Sequence, residues 1–285
     1  MHRLRIQHRT EYRFSNPVSF NAHRLLLRPR EGHDIRIESS RLDISPAYNI
    51  QWHRDVLNNS LAVVTFTEAS DTLRITSDVI IQHYDQTPLS FMVESHALRF
   101  PFQYSFSEQI DLSAFRRPLS MSDQHAIQEW LLQFNLQGME TTHLLVTLNQ
   151  AIHNQFKYGM REEPGVQSPA QTLFHRSGSC RDYATLLMET CRYLGFASRF
   201  VSGYLHSPAT EAGNGATHAW VEIYIPGTGW QGFDPTTGLV TGSDHIAAAV
   251  ARDPETVPPV SGSFTGSYSG RPIMLVDVQV NLIND

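Results

Sequence analysis

Cys180 and Cys191 are the only cysteines of the 285-residue chain, and both fall in the stretch SGSCRDYATLLMETCRYLG at 177–195. A cysteine can be half of a disulfide, a metal ligand, a small core residue or a nucleophile, and spacing separates these. From Tyr183 the stripe runs Tyr183, Leu186, Leu187, Thr190, Cys191 and Leu194, the rhythm of one buried helix face. Ser179 with Asp182 three residues later fits a capping box, and Gly195 is a C-terminal stop. The spacing predicts a helix over about 180–194. On it the two cysteines lie roughly 16 Å apart, whereas a disulfide needs Cα atoms within about 7 Å. Neither an intramolecular disulfide nor a shared metal fits. Cys191 sits among leucines and reads as a small buried hydrophobe. Cys180 takes the first helical position, where unpaired N–H groups and the macrodipole favour an anion such as a thiolate. Asp182 nearby opposes that anion, and a nucleophile also needs a base.

Fourteen histidines make any single one uninformative. His218 differs by context: it opens the strand HAWVEIYI after the polar loop HSPATEAGNGAT. The turn PGTG at 226–229 reverses the chain into WQGFD, which Asp234 closes just before Pro235. The start of the first strand and the end of the second lie side by side in a hairpin, so His218 and Asp234 meet at one end. A thiolate nucleophile needs an imidazole in reach, and the imidazole needs an orienting acceptor. There is a condition. The two side chains share a face only if paired residue numbers sum to an even number. A tight turn pairing Ile225 with Trp230 gives an odd sum, so a different loop is required.

The elements that must position these residues follow from periodicity. Residues 1–85 alternate as strands, from Leu4, Ile6, His8, Thr10, Tyr12 and Phe14 through HDIRIESSRLDIS, SLAVVTFTE and LRITSDVIIQHY. Residues 86–118 are irregular and aromatic, and place a boundary near 110. Helical stripes follow at Ile127, Trp130, Leu131 and Phe134, then at Leu144, Leu148, Ile152 and Phe156. Residues 159–178 read as a loop into the Cys180 helix. Beyond Gly195 come the strands ASRFVSGYL, HAWVEIYI and WQGFD, a Pro/Gly/Ser-rich stretch at 251–271, and a final strand PIMLVDVQVNLI. The expectation is an α+β chain: an antiparallel β sandwich over 1–110, then helices packed on an antiparallel sheet over 111–285.

Composition narrows the function classes. A net charge of −6 without any Lys/Arg run argues against nucleic acid and acidic membrane as partners. The charged, alternating start carries no apolar run of signal-peptide length, and no stretch approaches a membrane span. Two unpaired cysteines suit a reducing compartment, so a cytoplasmic location is expected. His218 and Glu222 are separated by about 13 Å along an extended strand and cannot share an ion. Glu162 and Glu163 read as a solvated loop. There is no acidic oxygen-ligand loop and no Gly-rich phosphate motif. Neither a metal nor a cofactor is expected.

The segments GSCRDYATLLMETCRYLGFASRFVSGYL and THAWVEIYIPGTGWQGFDPTTG resemble the bacterial transglutaminase-like core, within the papain-like Cys-His-Asp superfamily. YRFSNPVSFNAHRLLLRPREGHD and HRDVLNNS resemble the β-sandwich domain that often precedes that core. Here Val56, Leu57 and Asn58 stand before Asn59, in place of the usual aromatic-Gly before Asn, a departure that bears on a turn of the sandwich. The resemblance implies Cys180 as nucleophile, His218 as general base and acid, and Asp234 as the residue orienting the imidazole. The Cys180 N–H is the natural first oxyanion donor, with Gln171 and Tyr158 as candidates for the second. His245, in GSDHIAAAV, is similar to a family position and is expected to be structural or cleft-lining. The implied activity is hydrolysis of a peptide or amide bond in a peptide or protein substrate through an acyl-thioenzyme. The alternatives are a transferase, in which an amine resolves that intermediate, and an inactive peptide-binding scaffold.

Overall fold

Alternation in the first 83 residues becomes six strands in the computed structural model, which describes residues 2–84, 92–161, 163–206, 217–267 and 271–283. They are β1 (His2–Phe20), β2 (His23–Leu25), β3 (Ile35–Ser45), β4 (Tyr48–Arg54), β5 (Ser60–Phe66) and β6 (Ser70–His83). β1 pairs with β6 and β6 with β3, while β2, β5 and β4 form the second sheet, all antiparallel. Leu73 and Ile75 of one sheet pack with Leu25, Ala62 and Val64 of the other, as alternating inward residues do in a sandwich.

Six helices follow: α1 (Phe106–Asp111), α2 (Ser113–Arg116), α3 (Gln124–Leu131), α4 (Thr141–Gln155), α5 (Pro169–His175) and α6 (Cys180–Tyr193). The stripe residues Ile127, Trp130, Leu131, Leu144, Leu148 and Ile152 are all buried in one core with α6. Residues 159–178, expected as loop throughout, contain α5, and two short strands, β7 (Lys157–Tyr158) and β8 (Ser177–Gly178), flank it. A capping box between Ser168 and Gln171 and a proline at the first helical position start α5. Glu162, and the 207–216 segment ahead of His218, lie outside the described residues.

Helix α6 ends as a Schellman motif. Gly195 has φ +94°, and the N–H groups of Gly195 and Phe196 reach the carbonyls of Arg192 and Cys191 at 2.9 Å each. The helix is buried on more than its apolar stripe. Glu189 and Arg192 form an ion pair at 2.7 Å with both side chains buried. Arg192 also donates to the carbonyls of Ser198 and Arg252, at 2.8 Å each, and Glu189 accepts the Leu119 N–H at 2.8 Å. Each charge is thus paired and fully hydrogen-bonded, the condition for leaving ions in a core.

The second sheet region comprises β9 (Ser198–Leu205), β10 (His218–Ile225), β11 (Gly229–Asp234), β12 (Leu239–Val240) and β13 (His245–Ala251), ordered β12-β11-β10-β9-β13 and antiparallel throughout. The chain then returns to the sandwich. β14 (Val260–Ser261) pairs with β2, and β15 (Phe264–Thr265) and β16 (Ile273–Leu282) pair with β1. β14, β15 and β16, grouped by sequence order with the second half, therefore complete the sheets of the first. Period two identifies a strand and says nothing of its partner.

The two halves meet along β13. Leu4, Ile6, Val79 and Ile81 pack on Tyr204, Ile246 and Ala248, and the Tyr204 hydroxyl donates to the Leu27 carbonyl at 2.9 Å. Asn59 mimics a strand here: its amide donates to the Val250 carbonyl at 2.8 Å and its oxygen accepts the Val250 N–H at 2.9 Å. Arg30 and Asp55 bind the same side chain at 2.6 and 2.8 Å. No helix among the described residues is long and apolar enough to cross a membrane.

Candidate active site

Cys180 opens α6 with its side chain half-buried in a cleft of about 330 Å³, which Tyr158, Phe200, Thr217 and His218 also line. The amides of the first helical turn have no intrahelical acceptors and point toward this end. Asp182, expected to oppose a thiolate, is fully buried and turned to other work. One of its oxygens accepts the Ser179 N–H and hydroxyl at 2.8 Å each. The other accepts the Gln167 N–H and the Arg161 guanidinium at 2.7 Å each. Arg161 offsets its charge, and the carboxylate ties Arg161 and Gln167 to the helix start. Gly178 makes this closure possible, since a Cβ there would stand 2.9 Å from the Asp182 Cβ.

The hairpin meets the parity condition. Thr228 N–H bonds the Ile225 carbonyl at 3.0 Å, with Pro226 at the second turn position and Gly227 (φ +87°) at the third, the residue pattern of a type II turn. Gly229 (φ +85°) then pairs with Ile225, and Trp230 with Tyr224. A three-residue connection replaces the tight one, and the sums become even. His218 and Asp234 share a face: His218 Nε2 donates to Asp234 Oδ2 at 2.8 Å, with both side chains fully buried. The Thr236 N–H holds the other carboxylate oxygen at 2.8 Å.

Electrostatics follow from this pairing. Burial pulls the His218 pKa down, but the charge and hydrogen bond of Asp234, with Cys180 adding to them, raise it above the ordinary imidazole value. Burial pushes Asp234 up, and the His218 and His245 rings outweigh it, holding the carboxyl below the usual range. His218 Nδ1 is buried and has no hydrogen-bond partner among the described residues. With Nε2 committed to Asp234, Nδ1 is the nitrogen left for Cys180, whose interaction with the ring is among those that raise it.

The remaining sequence candidates separate. Tyr158 lines the cleft, and its phenol is pushed up first by burial and then by Cys180 and Asp234. Pairing of β7 with β8 sets Tyr158 beside Gly178, two residues before Cys180. Gln171 is exposed and its side chain closes the α5 capping box, accepting the Ser168 N–H at 2.9 Å, so it does not serve the site. Glu222 pairs with Arg199 at 2.6 Å. His245 is not among the cleft-lining residues. Its Nε2 lies 3.1 Å from Asp234 Oδ2, the oxygen that His218 uses. The motif GSDHI drew attention to this residue, but periodicity could not bring the first residue of β13 to the end of β11.

His218, Asp234 and His245 could by their atom types surround a cation. The distances argue otherwise: one oxygen receives both ring nitrogens at hydrogen-bond length, 2.8 and 3.1 Å, and a nitrogen that donates its N–H has no lone pair for a metal.

Comparisons with known proteins bear on the whole chain. Residues 4–82 match the family described as the bacterial transglutaminase-like N-terminal region, and residues 132–235 match the transglutaminase-like superfamily. The second segment contains Cys180, His218 and Asp234, and stops short of His245. An uncharacterized protein of Mycobacterium bovis is 29% identical over 301 residues, covering 99% of this chain and 93% of its own length. A protein-glutamine gamma-glutamyltransferase of Pseudomonas aeruginosa is 35% identical over 92 residues, covering 30% of this chain and 14% of its own length. The crystal structure of a candidate cysteine protease from Cytophaga hutchinsonii superposes with a TM-score of 0.76 at 19% identity, covering 100% of this chain and 91% of that one, so the fold is shared. Residues 132–235 thus match a transglutaminase-like core, with a match to the bacterial transglutaminase-like N-terminal region ahead of it.

Proposed function

We propose that the protein is a cysteine-dependent acyl-transfer enzyme that hydrolyses a peptide or amide bond through a Cys180–His218–Asp234 triad. One observation carries this reading: His218 has Nε2 locked on Asp234 while the buried Nδ1 is left without a partner among the described residues, and Cys180 is among the groups that raise the ring. In the proposed cycle Nδ1 takes the thiol proton and the sulfur attacks the carbonyl carbon. The oxyanion develops beside the Cys180 N–H, with the Tyr158 hydroxyl as the second candidate donor. Nδ1–H then protonates the leaving amine, and the acyl group remains on sulfur as a thioester. Water, deprotonated at Nδ1, attacks that thioester; the carboxylic acid leaves and the thiol is restored. Asp234 keeps the ring oriented and supports the imidazolium throughout. The apolar wall of the cleft, from Phe200, Val257, Pro258, Met274 and Val276, suits a peptide lying across the nucleophile.

The local similarity to a protein-glutamine gamma-glutamyltransferase favours a second reading, in which an amine resolves the thioester. Purified protein offered glutamine-containing peptides and a labelled primary amine separates the two. Hydrolysis is supported by product acid or ammonia without label, and transfer by label in the peptide. Absence of both, with no acyl adduct on Cys180 by mass spectrometry, leaves the peptide-binding scaffold.

A further inference from the structure

We propose that His245 is a positioning residue of this site, acting through Asp234 to set how strongly the carboxylate holds the His218 ring. The proposal rests on the acyl-transfer reading above and adds a fourth member to it.

The sheet builds this contact across four strands, β11, β10, β9 and β13. His218 of β10, Gly203 of β9 and Ala247 of β13 lie at one level in the register. Directly paired residues share a face, so His218, Trp220, Asp234 and His245 all project from the same side. Gly203 leaves the middle of that face bare. A Cβ there would stand 2.7 Å from the Trp220 ring and 2.3 Å from the Ile246 carbonyl. Over the bare position the Trp220 and His245 rings meet edge to face, with centroids 5.2 Å apart. His245 is thereby directed at Asp234, and its side chain is 7% exposed.

Hydrogen-bond accounting then fixes its role. Asp234 Oδ2 accepts from both Nε2 atoms and Oδ1 accepts from Thr236 N–H. The bond requires the His245 proton on Nε2. The opposite nitrogen, Nδ1, is buried without a partner among the described residues, so the ring's one polar contact is with Asp234. A carboxylate oxygen that already serves one donor binds another less strongly. His245 therefore moderates the pull of Asp234 on His218. The titratable groups facing the cluster are Cys180 from α6 and Tyr158 from β7. Asp244 pairs with His206 at 3.2 Å, and Asp182 with Arg161 at 2.7 Å.

The test is the pH dependence of Cys180 alkylation by iodoacetamide in the full chain, followed by peptide mapping. A thiolate–imidazolium pair gives a plateau, bounded below by formation of the pair and above by loss of the imidazolium proton. His245→Phe and His245→Leu remove the donor, so the imidazolium is held more tightly and the upper bound of the plateau rises by about half a pH unit, the scale of one shared hydrogen bond. His245→Gln, whose amide can still donate, keeps the wild-type profile. A merely structural role would lower melting temperature in all three and leave the profile unmoved. The proposal is overturned if the donor-free variants superimpose on wild type or narrow the plateau, if the glutamine variant shifts as far as they do, or if EDTA alters the wild-type profile. His218→Ala, run in parallel, keeps the two readings apart. If it leaves Cys180 alkylation unchanged, the triad itself fails; if it abolishes the plateau while the His245 variants do nothing, only the fourth member is lost.

Discussion

Two histidines, one in the β10–β11 hairpin and one in the seam between the halves, are equally buried and have opposite tendencies. His218 and His8 are 1% and 2% exposed. His218 faces a buried carboxylate and is raised above the ordinary imidazole value. His8 of β1 meets the Thr10 hydroxyl at 2.9 Å and lies edge-on to Tyr204, and burial pushes it down to about 4. Burial costs each ring its charged form, and only a counter-charge at hydrogen-bond distance reverses the sign. A carboxylate therefore marks where the fold prepares an imidazole to carry charge, and its absence marks where the imidazole serves as a wedge.

The largest expected effect of breaking this contrast is at the hairpin. Cys180→Ala should abolish turnover, and His218→Ala should be nearly as damaging because one nitrogen serves both proton transfers. Their losses should not add, so a double variant assayed beside Cys180→Ala should be little worse. Asp234→Asn comes next. It would keep the shape of the site yet present an amide to two ring N–H donors and Thr236, and a loss of about 10³–10⁴ in turnover with a folded chain is expected. The seam responds on the scale of stability. Below the unfolded pKa of about 6.5, the unfolded chain takes up a proton that folded His8 refuses until about 4. Stability contributed at neutral pH should therefore decline as pH falls from 6.5 toward 4, by on the order of 3 kcal/mol. Urea melts across that range should show the decline, and His8→Leu should flatten it. Smallest is Asn59→Ala, which leaves both Val250 backbone groups unpaired. A cost of about 2 kcal/mol, read as a lowered thermal midpoint without change in Cys180 reactivity, is expected.

Much of this site was legible because its parts are local. A capping box, a heptad-like stripe and a glycine stop define α6 within one stretch, and two strands with PGTG between them define the hairpin. Parity left a choice that the loop made, through positive φ at Gly227 and Gly229. What escaped the sequence depends on distant pairing. Glu189 and Arg192 lie outside the apolar stripe of α6, and their burial depends on carbonyls from three other segments that accept from Arg192. β16 reads as a strand while β14 and β15 lie in a Pro/Gly/Ser-rich stretch, and only the register shows that all three belong to the sandwich. His245 reaches Asp234 only because Gly203 bares the strand between, a relation among four strands that no spacing encodes.

The central claim is that Cys180 is a nucleophile activated by His218, whereas Cys191 is core, its thiol pushed up by complete burial. Iodoacetamide labelling near pH 6, quantified by peptide mapping in wild type and His218→Ala, tests it most directly. The account predicts that Cys180 is alkylated well ahead of Cys191 and that His218→Ala removes most of that lead. Equal labelling of the two cysteines, or a Cys180 rate indifferent to His218, would contradict it.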